Sequence, residues 1–82
     1  MKETNDSKII VYGKPNCSFC KRASALLESK KLNFDYIDLS DNQTALDYIK
    51  SIGCRTVPQI FINGTHVGGY DDLVEYFGEQ YG

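Results

Sequence analysis

The chain has 82 residues, enough for one small domain with a core of its own and too few for two, so we expect a single domain over residues 1–82. Hydrophobic residues make up 41% of the chain and charged residues 24%, and no apolar run is long enough to span a membrane, so a membrane protein is not expected. The formal net charge of -2 provides no basic excess for phosphates, so we expect no nucleic-acid partner.

The N-terminal residues and the cysteine count indicate the compartment. Residues 1–7, MKETNDS, are polar and lack the apolar stretch of a signal peptide, so we interpret them as a polar leader and expect a cytoplasmic protein. Three cysteines are too few for a disulfide scaffold. In a reducing compartment, a closely spaced cysteine pair is more often catalytic or metal-binding than structural.

The start of the chain predicts a strand and a helix. An apolar, β-branched run predicts a buried strand over Ile9 to Tyr12 that ends at Gly13. Helical spacing begins at Cys17, for which Asn16 is a plausible N-cap. The apolar face of this helix is formed by Ala23, Leu26 and Leu27.

The middle of the chain predicts a second strand and a second helix. Within residues 32–39, Phe34 and Tyr36 alternate with polar Asp35, which predicts a strand with the two aromatic residues on its inward face. Ser40 and Gln43 have the spacing of a capping box at the start of a helix. Gly53 is expected to end this helix in the left-handed conformation. Its inward residues would be Ala45, Leu46, Ile49 and Ile52.

The rest of the chain predicts a hairpin and a final helix. The stretches QIFIN and THVGG predict two strands, joined by a tight turn at Asn63-Gly64. Asp71 or Asp72 would open the last helix, whose inward residues would be Leu73, Tyr76 and Phe77. The order β-α-β-α-β-β-α predicts an α/β fold with a four-stranded mixed sheet flanked by three helices.

The first helix begins with two cysteines, Cys17 and Cys20, three positions apart. Such residues lie on neighbouring turns about 5–6 Å apart, within the range that a disulfide requires. The helix N-terminus and the cations Lys14, Lys21 and Arg22 favour the thiolate of Cys17 over its thiol, whereas Cys20 lies a turn deeper. This asymmetry suits thiol–disulfide exchange, with Cys17 as the attacking sulfur and Cys20 as the resolving one.

A zinc site is an alternative for this pair, because Cys54 and His66 would complete a Cys₃His set. Structural zinc sites usually present a second close ligand pair, whereas Cys54 and His66 are far apart in sequence, across a predicted strand. The spacing therefore argues against zinc, and we expect no metal. Cys54 is expected to be a buried or half-buried side chain and His66 an ordinary strand residue.

These motifs together resemble the glutaredoxin family over nearly the whole chain. A C-x-x-C follows VYGKPN, and RTVPQIFINGTHVGGYDDL follows at Arg55 to Leu73, in that family's order and spacing. The resemblance implies a thioredoxin-like fold, a cis Val57–Pro58 bond and glutathione-dependent thiol–disulfide exchange. It also implies a monomer whose partners are glutathione and glutathionylated or disulfide-containing proteins, with ribonucleotide reductase as an example.

The resemblance places a glutathione groove beside the cysteines, and the residue types fit that ligand. Lys14 and Arg55 would bind the glycine carboxylate, and Asp71 and Asp72 the γ-glutamyl end. The backbone of Val57 would pair with the tripeptide like an added strand. Taken singly, the charged residues are equally well explained as solvated surface groups or helix caps. The other implied contacts are Phe19, Thr56, Pro58 and Gly69.

Two positions depart from the commonest pattern of the family. Ser18 stands where proline is usual, and Phe19 where tyrosine is usual. Some family members with serine there hold a [2Fe–2S] cluster between two subunits, ligated by the first cysteine, here Cys17, and two glutathiones. Cluster binding is therefore one alternative function. A glutathione-independent redoxin that draws electrons from a thioredoxin-type reductase is another.

Overall fold

The computed structural model describes residues 8–78, so the predicted leader over residues 1–7 lies outside the described part of the chain. The elements, in chain order, are β1 (Ile9–Gly13), α1 (Ser18–Ser29), β2 (Asp35–Asp38), a 3₁₀ turn (Leu39–Asp41), α2 (Gln43–Ser51), β3 (Gln59–Ile62), β4 (Thr65–Gly68) and α3 (Tyr70–Tyr76). The predicted order of strands and helices is confirmed. No helix within residues 8–78 is long and apolar enough to cross a membrane.

The four strands form one mixed sheet in the order β2-β1-β3-β4. Strands β1 and β2 are parallel and are joined by α1, as a strand–helix–strand unit requires. Strand β3 runs antiparallel to β1, and β4 runs antiparallel to β3. The hairpin turn is confirmed, because Asn63 and Gly64 both have left-handed backbones, with φ of 53° and 82°.

Helices cover both faces of the sheet, so the core has two parts. Alternate residues of the central strand β3 point in opposite directions, with Ile60 and Ile62 on one face and Phe61 on the other. One face packs against Ala23 and Leu27 of α1 and Leu73 of α3. The opposite face packs against Ala45 and Ile49 of α2, together with Leu39 and Cys54. All four residues of β3 are buried, as expected for a strand covered on both faces.

The predicted capping box of α2 is wrong. Asn42 is the N-cap, and its Oδ1 accepts a 3.0 Å hydrogen bond from the Ala45 N–H. Ser40 lies in the preceding 3₁₀ turn, where Asp38 Oδ1 accepts its N–H at 2.8 Å. Asn42 is also an excellent N-cap and lies two residues closer to the helix, so it displaces Ser40 from this role.

The end of α2 is confirmed at Gly53, whose φ is +88°. Its N–H donates to Lys50 O, and the N–H of Cys54 donates to Ile49 O, which together form a Schellman motif. Ile52 was expected to point inward but is 44% exposed, because it is the C-cap residue and lies past the buried face.

Two further residues predicted to be inward are exposed. Tyr76, at the last turn of α3, is 54% exposed, whereas Leu73 is fully buried as predicted. Tyr36 is 40% exposed, because it lies on the edge strand β2. The second strand is also shorter than predicted, covering only residues 35–38 of the stretch 32–39.

Candidate active site

The two cysteines lie at the junction of β1 and α1 and form a disulfide, with Cα atoms 5.1 Å apart. Cys17, not Asn16, is the N-cap of α1, because its backbone is extended and its Sγ accepts the Cys20 N–H at 3.0 Å. A sulfur therefore occupies the place usually taken by a hydroxyl or amide oxygen. In the reduced protein this N–H and the helix dipole would stabilise a thiolate on Cys17.

The two sulfurs differ sharply in accessibility. Cys20 is completely buried, whereas Cys17 is half-buried at the surface. Gly13 creates the space for Cys20, since a Cβ at this position would lie 2.9 Å from Cys20 Sγ and would also overlap the Tyr36 ring. Tyr36 is held there by a 3.0 Å hydrogen bond from its hydroxyl to Lys14 O. Burial, and secondarily the Asp38 carboxylate, raises the pKa of Tyr36 above its ordinary value.

The loop before β3 forms the opposite wall. Its Val57–Pro58 bond is cis, as the resemblance implied. Val57 O lies 3.8 Å from Cys17 Sγ, so this loop is in contact with the accessible sulfur. Among residues 8–78, no group accepts a hydrogen bond from the Val57 N–H. An extended ligand lying beside Cys17 could therefore pair with this backbone.

A side-chain network connects this loop to the sheet. Gln59 is buried at the start of β3, and its Nε2 donates to Thr56 O at 2.9 Å and Thr56 Oγ1 at 3.3 Å. Its Oε1, which can only accept, lies 2.6 Å from His66 Nε2, so this nitrogen must carry the proton. His66 also stacks on Phe61, with ring centroids 4.8 Å apart. The network therefore holds Thr56 in place from two strands.

Cys54 lies beside the same network. This residue is buried, as predicted, and its Sγ lies 3.8 Å from His66 Nε2. Because that nitrogen carries a proton directed at Gln59, it is not a free base for the Cys54 thiol. Residues 8–78 bring together no group of three or more His, Cys, Asp or Glu side chains able to hold a metal. The zinc set is therefore not assembled in the described part of the chain.

Two cavities open on either side of Thr56 and Val57, which line both. The larger, of about 420 Å³, has basic residues on its rim, and we call it the cationic cavity. The smaller, of about 190 Å³, we call the acidic cavity. The cationic cavity is lined by Lys14, Lys50 and Arg55 and by Leu39, Leu46 and Ile49. The acidic cavity is lined by Phe19, Pro58, Gly69, Tyr70, Asp71 and Asp72.

The predicted basic residues line the cationic cavity and the predicted acidic residues line the acidic cavity, and we call the two cavities together the groove. Lys14 and Arg55 are both exposed, as are Asp71 and Asp72. Asp72 has a structural role as well, since its Oδ2 accepts the Gly69 N–H at 3.0 Å. The predicted start of α3 at an aspartate is wrong, because Gly69 is the N-cap and both aspartates lie in the first turn.

Phe19 borders the acidic cavity and is 50% exposed. Its ring packs beside Tyr70, with centroids 6.2 Å apart, and the Arg22 guanidinium lies 5.2 Å from its centroid. The charge of Arg22 is therefore directed at an aromatic face. An exposed aromatic side chain two residues from Cys17 offers apolar contact to a bound chain.

The sequence model of the glutaredoxin family matches residues 9–67, which include the cysteine pair, the cis-proline loop and the start of β4. The chain belongs to the glutaredoxin family. Glutaredoxin 3 of Escherichia coli is 43% identical over 68 residues, which cover 82% of each chain. A hybrid peroxiredoxin of Haemophilus influenzae is 45% identical over 69 residues, which cover 84% of this chain but only 29% of that protein.

A solved structure supports the same assignment. A buckwheat glutaredoxin in complex with glutathione superposes with a TM-score of 0.75 and 30% identity, covering 93% of this chain and 73% of that one. Glutaredoxin-family membership makes this protein a thiol–disulfide oxidoreductase with a thioredoxin-like fold.

Sequence reasoning missed two parts of this glutaredoxin site. Gln59 was assigned only to a strand, although a polar residue at the start of an otherwise apolar central strand signals a need for partners. Gly13 was assigned only as a strand terminator, although it makes room for Cys20 and Tyr36.

Proposed function

We propose that this protein uses glutathione to reduce glutathione mixed disulfides and protein disulfides, with Cys17 as nucleophile and Cys20 as resolving thiol. The observation that carries the proposal is the contrast between the two sulfurs. Cys17 is accessible and accepts an N–H at the helix start, whereas Cys20 is completely buried beneath it. A substrate therefore meets Cys17 first. Cytoplasmic location and a monomeric state, expected from the sequence, belong to the same proposal.

The glutathione route requires only Cys17. Its thiolate attacks the glutathionyl sulfur of a mixed disulfide, and the substrate sulfur leaves as a thiolate that takes up a proton. Cys17 then carries glutathione through a new disulfide. A second glutathione thiolate attacks the bound glutathionyl sulfur and releases glutathione disulfide. One free glutathione is consumed for each substrate thiol released, the glutathionyl group of the substrate leaves as half of the glutathione disulfide, and Cys17 returns to its thiolate form.

The protein-disulfide route requires both cysteines. Cys17 attacks one sulfur of the substrate and forms a mixed disulfide, and the other substrate sulfur leaves as a thiol. Cys20 then attacks the sulfur of Cys17, which expels the second substrate thiol and closes the Cys17–Cys20 disulfide. The Cα separation of 5.1 Å allows this closure within the helix. The substrate gains two electrons and two protons.

The groove provides the elements that glutathione binding requires. We assign its glycine carboxylate to Lys14 and Arg55, and its γ-glutamyl ammonium to Asp71 and Asp72. Its cysteine would lie beside Val57, whose N–H has no acceptor among residues 8–78 and could therefore pair with the backbone of the ligand. The remaining contacts of the assigned groove are Phe19, Thr56, Pro58 and Gly69.

Both alternatives from the sequence also depend on Cys17, as a cluster ligand in one and as the nucleophile in the other. Because Cys20 is completely buried, only Cys17 is positioned to ligate a [2Fe–2S] cluster shared with a second subunit and two glutathiones. Such a cluster would supply one-electron chemistry or be transferred. A colourless monomer after anaerobic reconstitution with iron, sulfide and glutathione would exclude it. Turnover with thioredoxin reductase but not with glutathione would favour the glutathione-independent redoxin.

The deciding experiment measures reduction of a glutathione mixed disulfide with glutathione and glutathione reductase, alongside reduction of a protein disulfide. Cys17→Ser should abolish both activities. Cys20→Ser should retain the first and lose most of the second, because glutathione can resolve the Cys17 mixed disulfide but cannot replace Cys20 in the dithiol route. Loss of both activities in Cys20→Ser, or activity in Cys17→Ser, would contradict the assignment.

The groove is tested by charge removal with matched controls. Asp72→Asn keeps an acceptor for the Gly69 N–H while removing the charge, so it should raise the Michaelis constant for the glutathionyl substrate with little loss of stability. Arg55→Gln should do the same. The exposed residues Asp41 and Lys31 lie outside the groove, and Asp41→Asn and Lys31→Gln are the controls. Equal Michaelis constants in all four variants would remove Arg55 and Asp72 from the site.

A further inference from the structure

The two cavities are unequal in a way that glutathione does not explain. The cationic cavity, of about 420 Å³, is more than twice the size of the acidic cavity, of about 190 Å³. In the proposed glutathione pose the γ-glutamyl residue enters the smaller cavity and the glycine enters the larger one. Glycine has no side chain, so the larger cavity receives the smaller end of the ligand and retains free space.

The unused part of the cationic cavity is apolar. Its inner wall is formed by Leu39 from the 3₁₀ turn and by Leu46 and Ile49 from α2. Leu39 and Ile49 belong to the core, while Leu46 is only half-buried and offers its side chain to the cavity. A carboxylate gains nothing from such a wall, whereas an apolar side chain gains by burial against it.

The charged residues that line the cationic cavity are all basic. Lys14, Arg55 and Lys50 line it, and no acidic residue among residues 8–78 does. Two of these cations suffice for the glycine carboxylate of glutathione, which leaves Lys50, on the last turn of α2, without an assigned partner in that pose. The cavity therefore suits a ligand that combines an apolar group with a negative charge.

We propose that the cationic cavity binds the polypeptide segment that follows the attacked cysteine in a protein disulfide, and that it prefers an apolar and an acidic residue there. The inference rests on the protein-disulfide branch of the proposed function. An extended chain paired with Val57 would direct its next two residues, about 7 Å of chain, into this cavity. Leu46 selects the apolar side chain, and Lys50 selects the acidic one.

The test uses symmetrical disulfides of capped peptides, acetyl-Ala-Cys-X-Y-amide, and the fully reduced protein in a single turnover. Cys17 releases one peptide thiol, and Cys20 releases the second as the protein disulfide closes. The X-Y pair is Gly-Gly as reference, Leu-Glu and Glu-Leu as preferred sequences, and Leu-Lys and Lys-Leu as charge controls. Each second-order rate constant is divided by the rate constant of the same peptide with dithiothreitol, which removes differences in intrinsic reactivity.

Partial burial of one leucine should make the better of the two preferred peptides about fivefold faster than Gly-Gly. Replacing its glutamate by lysine should cost about threefold, because this charge interaction is exposed and screened. Leu46→Ala should remove most of the leucine preference, and Lys50→Glu should invert the charge preference. Leu26 is a half-buried leucine of α1 outside the cavity, so Leu26→Ala is the control and should keep both the leucine preference and the charge preference.

The outcomes separate this inference from the function on which it rests. Equal rates for all peptides, or preferences that survive both Leu46→Ala and Lys50→Glu, would overturn the inference and leave the proposed function intact. Turnover of a glutathione mixed disulfide without reduction of any peptide would overturn the protein-disulfide branch and the inference together. Peptide reduction with the predicted preferences but no glutathione turnover would support the inference and overturn the glutathione dependence.

Discussion

Replacing the side chain of Gln59 tests how the fold positions the loop before β3, which contains Thr56 and Val57. Gln59→Leu keeps a side chain of similar size and removes two hydrogen bonds to Thr56 and the one from His66. Thr56 and His66 are both exposed, so water can replace part of what is lost. We therefore expect the free energy of unfolding to fall by about 1–2 kcal/mol, rather than by the full sum of three buried hydrogen bonds.

The effect on activity should be on binding. Thr56 and Val57 line both cavities, so loosening this loop should weaken the groove without altering the chemistry of Cys17. A loss of about 1 kcal/mol in ligand contacts corresponds to about a fivefold rise in the Michaelis constant for a glutathionyl substrate, with kcat nearly unchanged. Urea denaturation and steady-state kinetics on the same preparation measure both quantities.

Ile62→Val is the matched control for lost stability. Ile62 is buried in the same strand but distant from the loop, and the truncation should cost about 0.5–1.5 kcal/mol. It should leave the Michaelis constant unchanged. If Gln59→Leu also left it unchanged, or if both variants raised it equally, the idea that Gln59 positions the loop would be wrong.

Three other results are expected. Gly68→Ala should lower the free energy of unfolding by about 3 kcal/mol in denaturant titration, because the position has φ of +122° and a Cβ would crowd Asp72, whose carboxylate accepts the N–H of the N-cap residue Gly69. Iodoacetamide should label Cys17 first in the reduced protein, as read by peptide mass spectrometry, because Cys20 is completely buried; equal labelling would contradict this. Because the pKa of Tyr36 is higher in the folded protein than in the unfolded chain, its neutral hydroxyl contributes stability that is fully present below the unfolded-state pKa. This contribution is lost as the pH rises through the folded-state pKa. The free energy of unfolding of the oxidised protein should therefore fall at alkaline pH, and it should fall less steeply in Tyr36→Phe.

The order of elements was predictable because local signals agreed with the fold. Glycine and asparagine at positions 53, 63 and 64 adopt the left-handed backbones that their residue types favour. Helix starts were less predictable, since neighbouring residues compete to cap one end. Asn42 outcompeted Ser40, and the sulfur of Cys17 took the place expected for Asn16.

The candidate site was predictable where spacing along the sequence decides between uses, as in the cysteine pair, for which the wide separation of Cys54 and His66 argued against zinc. It was less predictable where the role depends on distant neighbours. The link from Gln59 to His66 arises only when β3 and β4 pair, and the apolar wall of the cationic cavity only when α2 packs on the sheet. Exposure of Ile52 likewise depends on where the helix ends, which periodicity alone does not define.

The sulfur of Cys17 caps α1, so the residue that performs the chemistry also affects the stability of the first helical turn. A thiol is a weak hydrogen-bond acceptor, whereas serine is among the best N-cap residues. While Cys17 is a protonated thiol, the inactive Cys17→Ser protein should therefore hold its first helical turn at least as firmly as the reduced parent protein does. Ionisation of Cys17 reverses this order, because the thiolate is a charged acceptor at the positive end of the helix. The negative charge that makes Cys17 reactive therefore also strengthens the cap of the helix that carries it.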